Sequence, residues 1–202
     1  GGVSVAALAP EGSLPPSPRV MLLPRIMALL ALALRFDVGL CTRKDLLRAI
    51  DQNNPAMCNI ALKAGASPDV LGEDGDSALM HAVRLDKAKA VKALLRAGAN
   101  KNTLDAKGYS LMHVGCDVGA FRSVQLLLGA DLRLDDMHED GLAPLHRAIL
   151  GGHTDTVKAL LNAAAPAGMP TADGRTPMEL SSSLAMREVL TKYARPASKE
   201  EV

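Results

Sequence analysis

Apolar residues in this chain come in short helical bursts, separated by polar connections that carry glycine. The cleanest case is Leu79, Ala82 and Val83 followed by Val91, Leu94 and Leu95, each set at the spacing of one helix face. Lys87, Lys89, Lys92 and Arg96 fall on the opposite face of the second burst, as a solvated surface would. Gly98 then stands where a left-handed residue ends a helix, a conformation that other residues enter only against a Cβ clash. The pattern predicts a pair of short helices, with Asn100 to Lys107 as a hairpin leading to the next pair. An earlier pair is expected over Lys44 to Gln52 and Ala56 to Ala64, split by Asn53-Asn54-Pro55 and ended by Gly65.

The pairs recur at a fixed step. Gly75-Asp76-Ser77-Ala78-Leu79-Met80-His81-Ala82, Gly108-Tyr109-Ser110-Leu111-Met112-His113-Val114-Gly115, Gly141-Leu142-Ala143-Pro144-Leu145-His146-Arg147-Ala148 and Gly174-Arg175-Thr176-Pro177-Met178-Glu179-Leu180-Ser181 begin at glycines 33 residues apart. A constant step of this length marks a stacked array in which each unit buries its apolar face against its neighbours. Step and motif together resemble the ankyrin repeat, whose signature is T-P-L-H-x-A. The resemblance implies an all-α repeat solenoid over residues 42–194: an ankyrin-like stack of helix-turn-helix units with β-hairpin fingers, four to five units including caps. Thr42 fills the first glycine slot, with Leu46 and Ala49 in the leucine and alanine positions. The last unit keeps Thr176-Pro177 but puts Glu179 and Ser181 in the histidine and alanine slots. It reads as a polar cap of short helices exposing Arg187, Glu188 and Lys192.

Two units depart from the pattern. In the third, Leu126-Leu127-Leu128 runs into Gly129-Ala130, so its second helix is expected to lose two residues and the next finger to gain them. In the fourth, the second helix, from about Asp155 to Ala163, meets Ala164-Ala165-Pro166 without a glycine. An alanine forced left-handed there costs about 1 kcal/mol.

Ahead of the array, residues 1–19 read as a flexible tail rich in Pro and Gly. Residues 20–40 hold the most apolar stretch of the chain, and three readings of it stay open. Its uninterrupted run, Ile26 to Leu34, is nine residues, and about 20 are needed to cross a bilayer. The arginines and the near absence of acids fit an organellar targeting sequence. Met27 to Ala31 lies one 33-residue step before Ile60 to Ala64, the register of a capping half-repeat. The third reading is an interface segment, with Leu22, Leu23, Ile26, Leu29 and Leu30 buried by a partner or a membrane-associated assembly. Residues 195–202 read as a frayed tail.

Composition narrows the chemistry. With 23 basic and 22 acidic residues the net charge is +1, which does not point to nucleic acid as a partner. Three cysteines, widely spaced and without a C-x-x-C pair, argue against a disulfide framework or zinc site. They favour a reducing compartment: cytosol, nucleus or an organelle interior. No nucleophile motif or phosphate-cradling glycine loop occurs, so neither an enzyme nor a cofactor is expected, and nothing signals self-association.

His113 and His146 sit in the signature slot, where the resemblance implies a structural hydrogen bond across the turn opening the helix. Ser110 can partner His113, whereas Ala143 replaces the usual threonine beside His146, which leaves that bond open. His153 matches the turn histidine. His138 lies among Asp135, Asp136, Glu139 and Asp140, at spacings that fit no EF-hand loop or H-E-x-x-H helix. That finger reads as a solvated acidic loop or a contact for a basic partner.

The resemblance further implies binding of another protein through finger tips and the exposed side of the first helices. Carried onto this chain, those positions are Leu71, Arg84, Leu104, Tyr109, Asp135, Asp136, His138, Leu142 and Arg147. Leu71, Leu104 and Tyr109 draw attention as apolar anchors, although the two leucines could equally pack against neighbouring fingers. The alternative is an accessory subunit of a large membrane-associated assembly, held through residues 20–36.

Overall fold

The computed structural model describes residues 35–130 and 132–194. The expected tail 1–19, the apolar segment up to residue 34 with Leu22, Leu23, Ile26, Leu29 and Leu30, and residues 195–202 lie outside the described residues. The chain divides into two units, Gly1–Val38 and Gly39–Val202. The described helices all lie in the second unit, apart from the opening residues of the first helix.

Ten helices run through the described residues: α1 (Arg35–Asp51), α2 (Pro55–Lys63), α3 (Ala78–Arg84), α4 (Ala88–Arg96), α5 (Leu111–Asp117), α6 (Phe121–Leu128), α7 (Pro144–Leu150), α8 (Thr154–Asn162), α9 (Pro177–Leu180) and α10 (Leu184–Ala194). First helices start at Ala78, Leu111, Pro144 and Pro177, and second helices at Pro55, Ala88, Phe121 and Thr154, each step being 33 residues. The starts are set by caps. Ser77, Ser110 and Thr176 each accept the N–H of the residue three along, and Asn54 accepts two N–H groups of α2.

Like stacks on like. Helices α3, α5, α7 and α9 pack in succession, as do α2, α4, α6, α8 and α10. The large, fully buried side chains are Leu, Ile and Met, among them Leu79, Leu94, Leu111, Leu127, Leu145 and Leu160. Turn residues tie units together. Asp86, left-handed at φ 48°, accepts both the N–H and the hydroxyl of Ser123 in the next unit, at 2.9 and 2.8 Å. Asn53, one step earlier and also left-handed, accepts the N–H of Ala90 at 3.4 Å.

The fingers are tight turns rather than strands. The N–H of Gly72, Asp105, His138 and Thr171 donates to the carbonyl of Asp76, Tyr109, Leu142 and Arg175, at 2.7, 3.0, 3.2 and 2.9 Å. Isolated antiparallel bridges join Leu71 to Ser77 and Leu104 to Ser110.

Three expectations need correction. Helix α1 already covers Arg35–Asp51 rather than opening at Lys44, so helix occupies the place where Thr42 would open the first unit. Helix α6 has eight residues against nine in α2, α4 and α8, a loss of one rather than two. Gly129 caps α6 in the right-handed region at φ −74°. The last helix is not short: α10 has 11 residues and buries Met186 and Leu190 against the core. Ala164 does go left-handed, at φ 63°.

Candidate functional site

The positions named from sequence fall into two groups. Leu71 and Leu104 are exposed, at 53% and 61%, so about half or more of each side chain is open to a partner. They share one slot of successive fingers, and the next occupant of that slot is Met137, 42% exposed. The three make an apolar row along the fingers. Met137 is not among the positions named from sequence, although the 33-residue step from Leu104 points to it.

The polar positions engage one another. Arg84 is held by Asp76 at 2.9 Å and by Asp105 at 3.4 Å. Two units further, Arg147 is held by Asp117 at 3.1 Å and by Asp140. Its guanidinium carbon lies 4.0 Å from the centroid of the Tyr109 ring, a cation–π distance. The Tyr109 hydroxyl donates to Asp140 at 3.2 Å, and its ring contacts that of His138 at 3.8 Å between centroids. Tyr109 is therefore a strut between fingers rather than a free anchor. Sequence reasoning missed Asp76 and Asp105 as the partners of Arg84, and Asp117 as a partner of Arg147. Each lies at least eight residues away from its arginine, outside the reach of local patterns.

The long finger is not a loose acidic loop. Arg133 pairs with Asp135 at 3.3 Å and with Asp136 at 3.0 Å. His138 stands in the slot that Asp105 and Thr171 fill elsewhere, where a side chain accepts backbone N–H groups of its own turn. Its Nδ1 takes the Asp140 N–H at 3.4 Å, and its Nε2 donates to the Lys107 carbonyl at 2.9 Å. Among the described residues no group of three or more His, Cys, Asp or Glu side chains is arranged to hold a metal ion. Leu142 is half-buried, and its carbonyl accepts from His113 Nε2 at 3.2 Å.

The two signature histidines are bonded at both ring nitrogens. The Ser110 hydroxyl donates to His113 Nδ1 at 2.8 Å. His146 makes its turn bond without a hydroxyl: Nδ1 accepts the Ala143 N–H at 3.0 Å, while Nε2 donates to the Met169 carbonyl at 2.7 Å. Burial pushes both below the ordinary histidine range, against the pull of the carbonyls they bond. Arg147 and His138 lower His113 further. The pair Ser110–His113 is a helix cap, because the same hydroxyl oxygen accepts the His113 N–H at 3.5 Å. Among the described residues no carboxylate is bonded to the ring.

Between the Arg84 and Arg147 clamps a cavity of about 280 Å³ opens, lined by Asp74, Asp105, Lys107, Tyr109 and Asp117 among others. At the C-terminal ends of α3, α5 and α7 the exposed apolar groups are Leu85, Val118 and Leu150. Cys58 and Cys116 are free and buried, and burial pushes both thiols up, away from the reactive thiolate.

A family model described as ankyrin repeats (3 copies) matches residues 46–136 and 116–194. No curated protein matches the chain.

Proposed function

The chain belongs to the ankyrin-repeat family, and from that premise we propose that it is a non-catalytic module that binds a protein partner through its fingers and the adjoining first-helix side. The observation that carries this reading is the apolar row Leu71, Leu104 and Met137. Each is more than two-fifths exposed, at the same slot of three consecutive fingers. Apolar side chains at the centre of an interface supply most of its energy, and polar groups form the rim. Here the rim is Glu73, Asp74 and Glu139, with Lys107 as the one basic member, all exposed. The chemistry that fits is an apolar segment flanked by basic residues. The clamped arginines keep the fingers in register and leave the row to make the contact.

The test is a set of serine substitutions, Leu71→Ser, Leu104→Ser and Met137→Ser, in the full chain. Each surface change leaves the melting temperature within about 2 °C, since surface changes away from the core alter stability by about 0.5 kcal/mol or less. A partner recovered with the unaltered chain is expected to bind the triple variant at least tenfold more weakly. Undiminished binding by a folded triple variant would remove the reading.

A further inference from the structure

Acidic and basic residues are sorted between elements. Helices α2, α4 and α6 contain no Asp or Glu, and between them they expose Lys63, Lys89, Lys92, Arg96 and Arg122. The arrangement is a grid. Lys89 and Arg122 occupy the same helical position one 33-residue step apart, as do Lys63 and Arg96, while Lys89, Lys92 and Arg96 line one face of α4. None of the five side chains makes a hydrogen bond or ion pair with another described residue. The grid ends at α8, where Asp155 lies 3.6 Å from Lys158. At its other end α2 exposes Met57 and Ile60, 45% and 60% accessible. One step on, their counterparts Ala90 and Ala93 are buried against α2.

We propose that this second-helix side of the array docks on an anionic lipid surface. Three features favour a membrane over an acidic protein or a nucleic acid. The charges spread over three helices instead of converging on a cleft, which suits a diffuse negative field. Three of the five are lysines, which act as point charges, where bidentate recognition of single phosphates or carboxylates favours arginine. And none is pre-oriented by a neighbour, whereas Arg84 and Arg147 on the finger side are each fixed by two carboxylates. Basic groups near an anionic leaflet attract it additively. The surface uses other residues than the finger row, so this inference stands or falls separately from the protein-binding reading.

The experiment is co-sedimentation of the full chain with phosphatidylcholine vesicles, with and without 30% phosphatidylserine. The same mixture is then tested with the variant carrying Lys89→Glu, Lys92→Glu and Arg96→Glu, and with a second variant carrying glutamine at those positions. Binding is expected only to the serine-containing vesicles, weakening as salt rises from 50 to 300 mM. The glutamate variant is expected to fall at least about a hundredfold, and the glutamine variant to fall between it and the unaltered chain. Equal binding to neutral vesicles would assign attachment to the apolar N-terminal run and overturn the proposal. So would unaltered chain that ignores phosphatidylserine vesicles but is retained on poly-glutamate or single-stranded DNA. The salt series on the unaltered chain keeps the test decisive even where a variant misfolds.

Discussion

Arg147 lies over the ring of Tyr109, with the guanidinium carbon 4.0 Å from the ring centroid, and at the same time grips Asp140 of the finger between them. Its side chain is only 12% exposed, so both contacts operate largely out of water, where a cation over a ring and a charged pair are strongest. Arg147→Ala should lower stability by about 1–3 kcal/mol, because it removes the ring contact and strands a half-shielded carboxylate. Arg147→Lys should recover less than half of that, since a point charge cannot face the ring and two carboxylates together. Urea denaturation of both variants measures it.

Gly141 and Ala164 make opposite predictions about backbone. Gly141 has φ 74°, and a Cβ there would fall inside that of Ala172 in the next finger. Gly141→Ala therefore combines left-handed strain with a clash and should cost about 2–4 kcal/mol. Ala164 carries the strain already, at φ 63°. Ala164→Gly should relieve it and stabilise by up to about 1 kcal/mol, read as a rise in urea midpoint.

Much of the fold was legible because stacking forces one spacing on every unit. Helix starts at Ala88, Phe121 and Thr154 follow the 33-residue step, and the left-handed Ala164 was readable from the missing glycine alone. The extent of α1 was not, since Asp37, Gly39 and Thr42 are residues that usually mark helix ends, yet the helix runs through all three. The candidate site was legible where slots repeat, as at Leu71 and Leu104. It was not where contacts cross between fingers. Tyr109 looks like an anchor by residue type, and only the placement of Asp140, 31 residues on, makes it a strut. His138 likewise looked like part of an acidic cluster, yet its 33-residue register with Asp105 makes it a turn residue.

The buried histidines set a pH dependence whose sign follows from linkage. Burial holds the folded pKa of His113 and His146 below the unfolded value near 6.5. The unfolded chain therefore binds more protons as pH falls through 6.5, and stability must fall with it, while above that range these two groups contribute no slope. Urea midpoints measured from pH 8 to 5 should decline only in the lower half. His146→Gln should start less stable and show a shallower decline.

Ala143 begins α7 without the side-chain acceptor that Ser77, Ser110 and Thr176 supply in the other units. Its backbone, φ −85° and ψ 165°, already has the geometry of a cap. Ala143→Ser should give the His146 N–H a partner and raise stability by about 0.5–1 kcal/mol, seen as a higher melting temperature.

The claim that this chain binds a protein through its fingers is tested most directly by site-specific photo-cross-linking of the full chain in its native cell extract. A photoreactive residue replaces Leu71 or Leu104 in the finger row, or Gln125 on the second-helix side. The account predicts a discrete protein adduct from positions 71 and 104, lost when Met137→Ser is added to a folded chain, and none from position 125. Adducts from position 125 alone, or from all three positions alike, would contradict it.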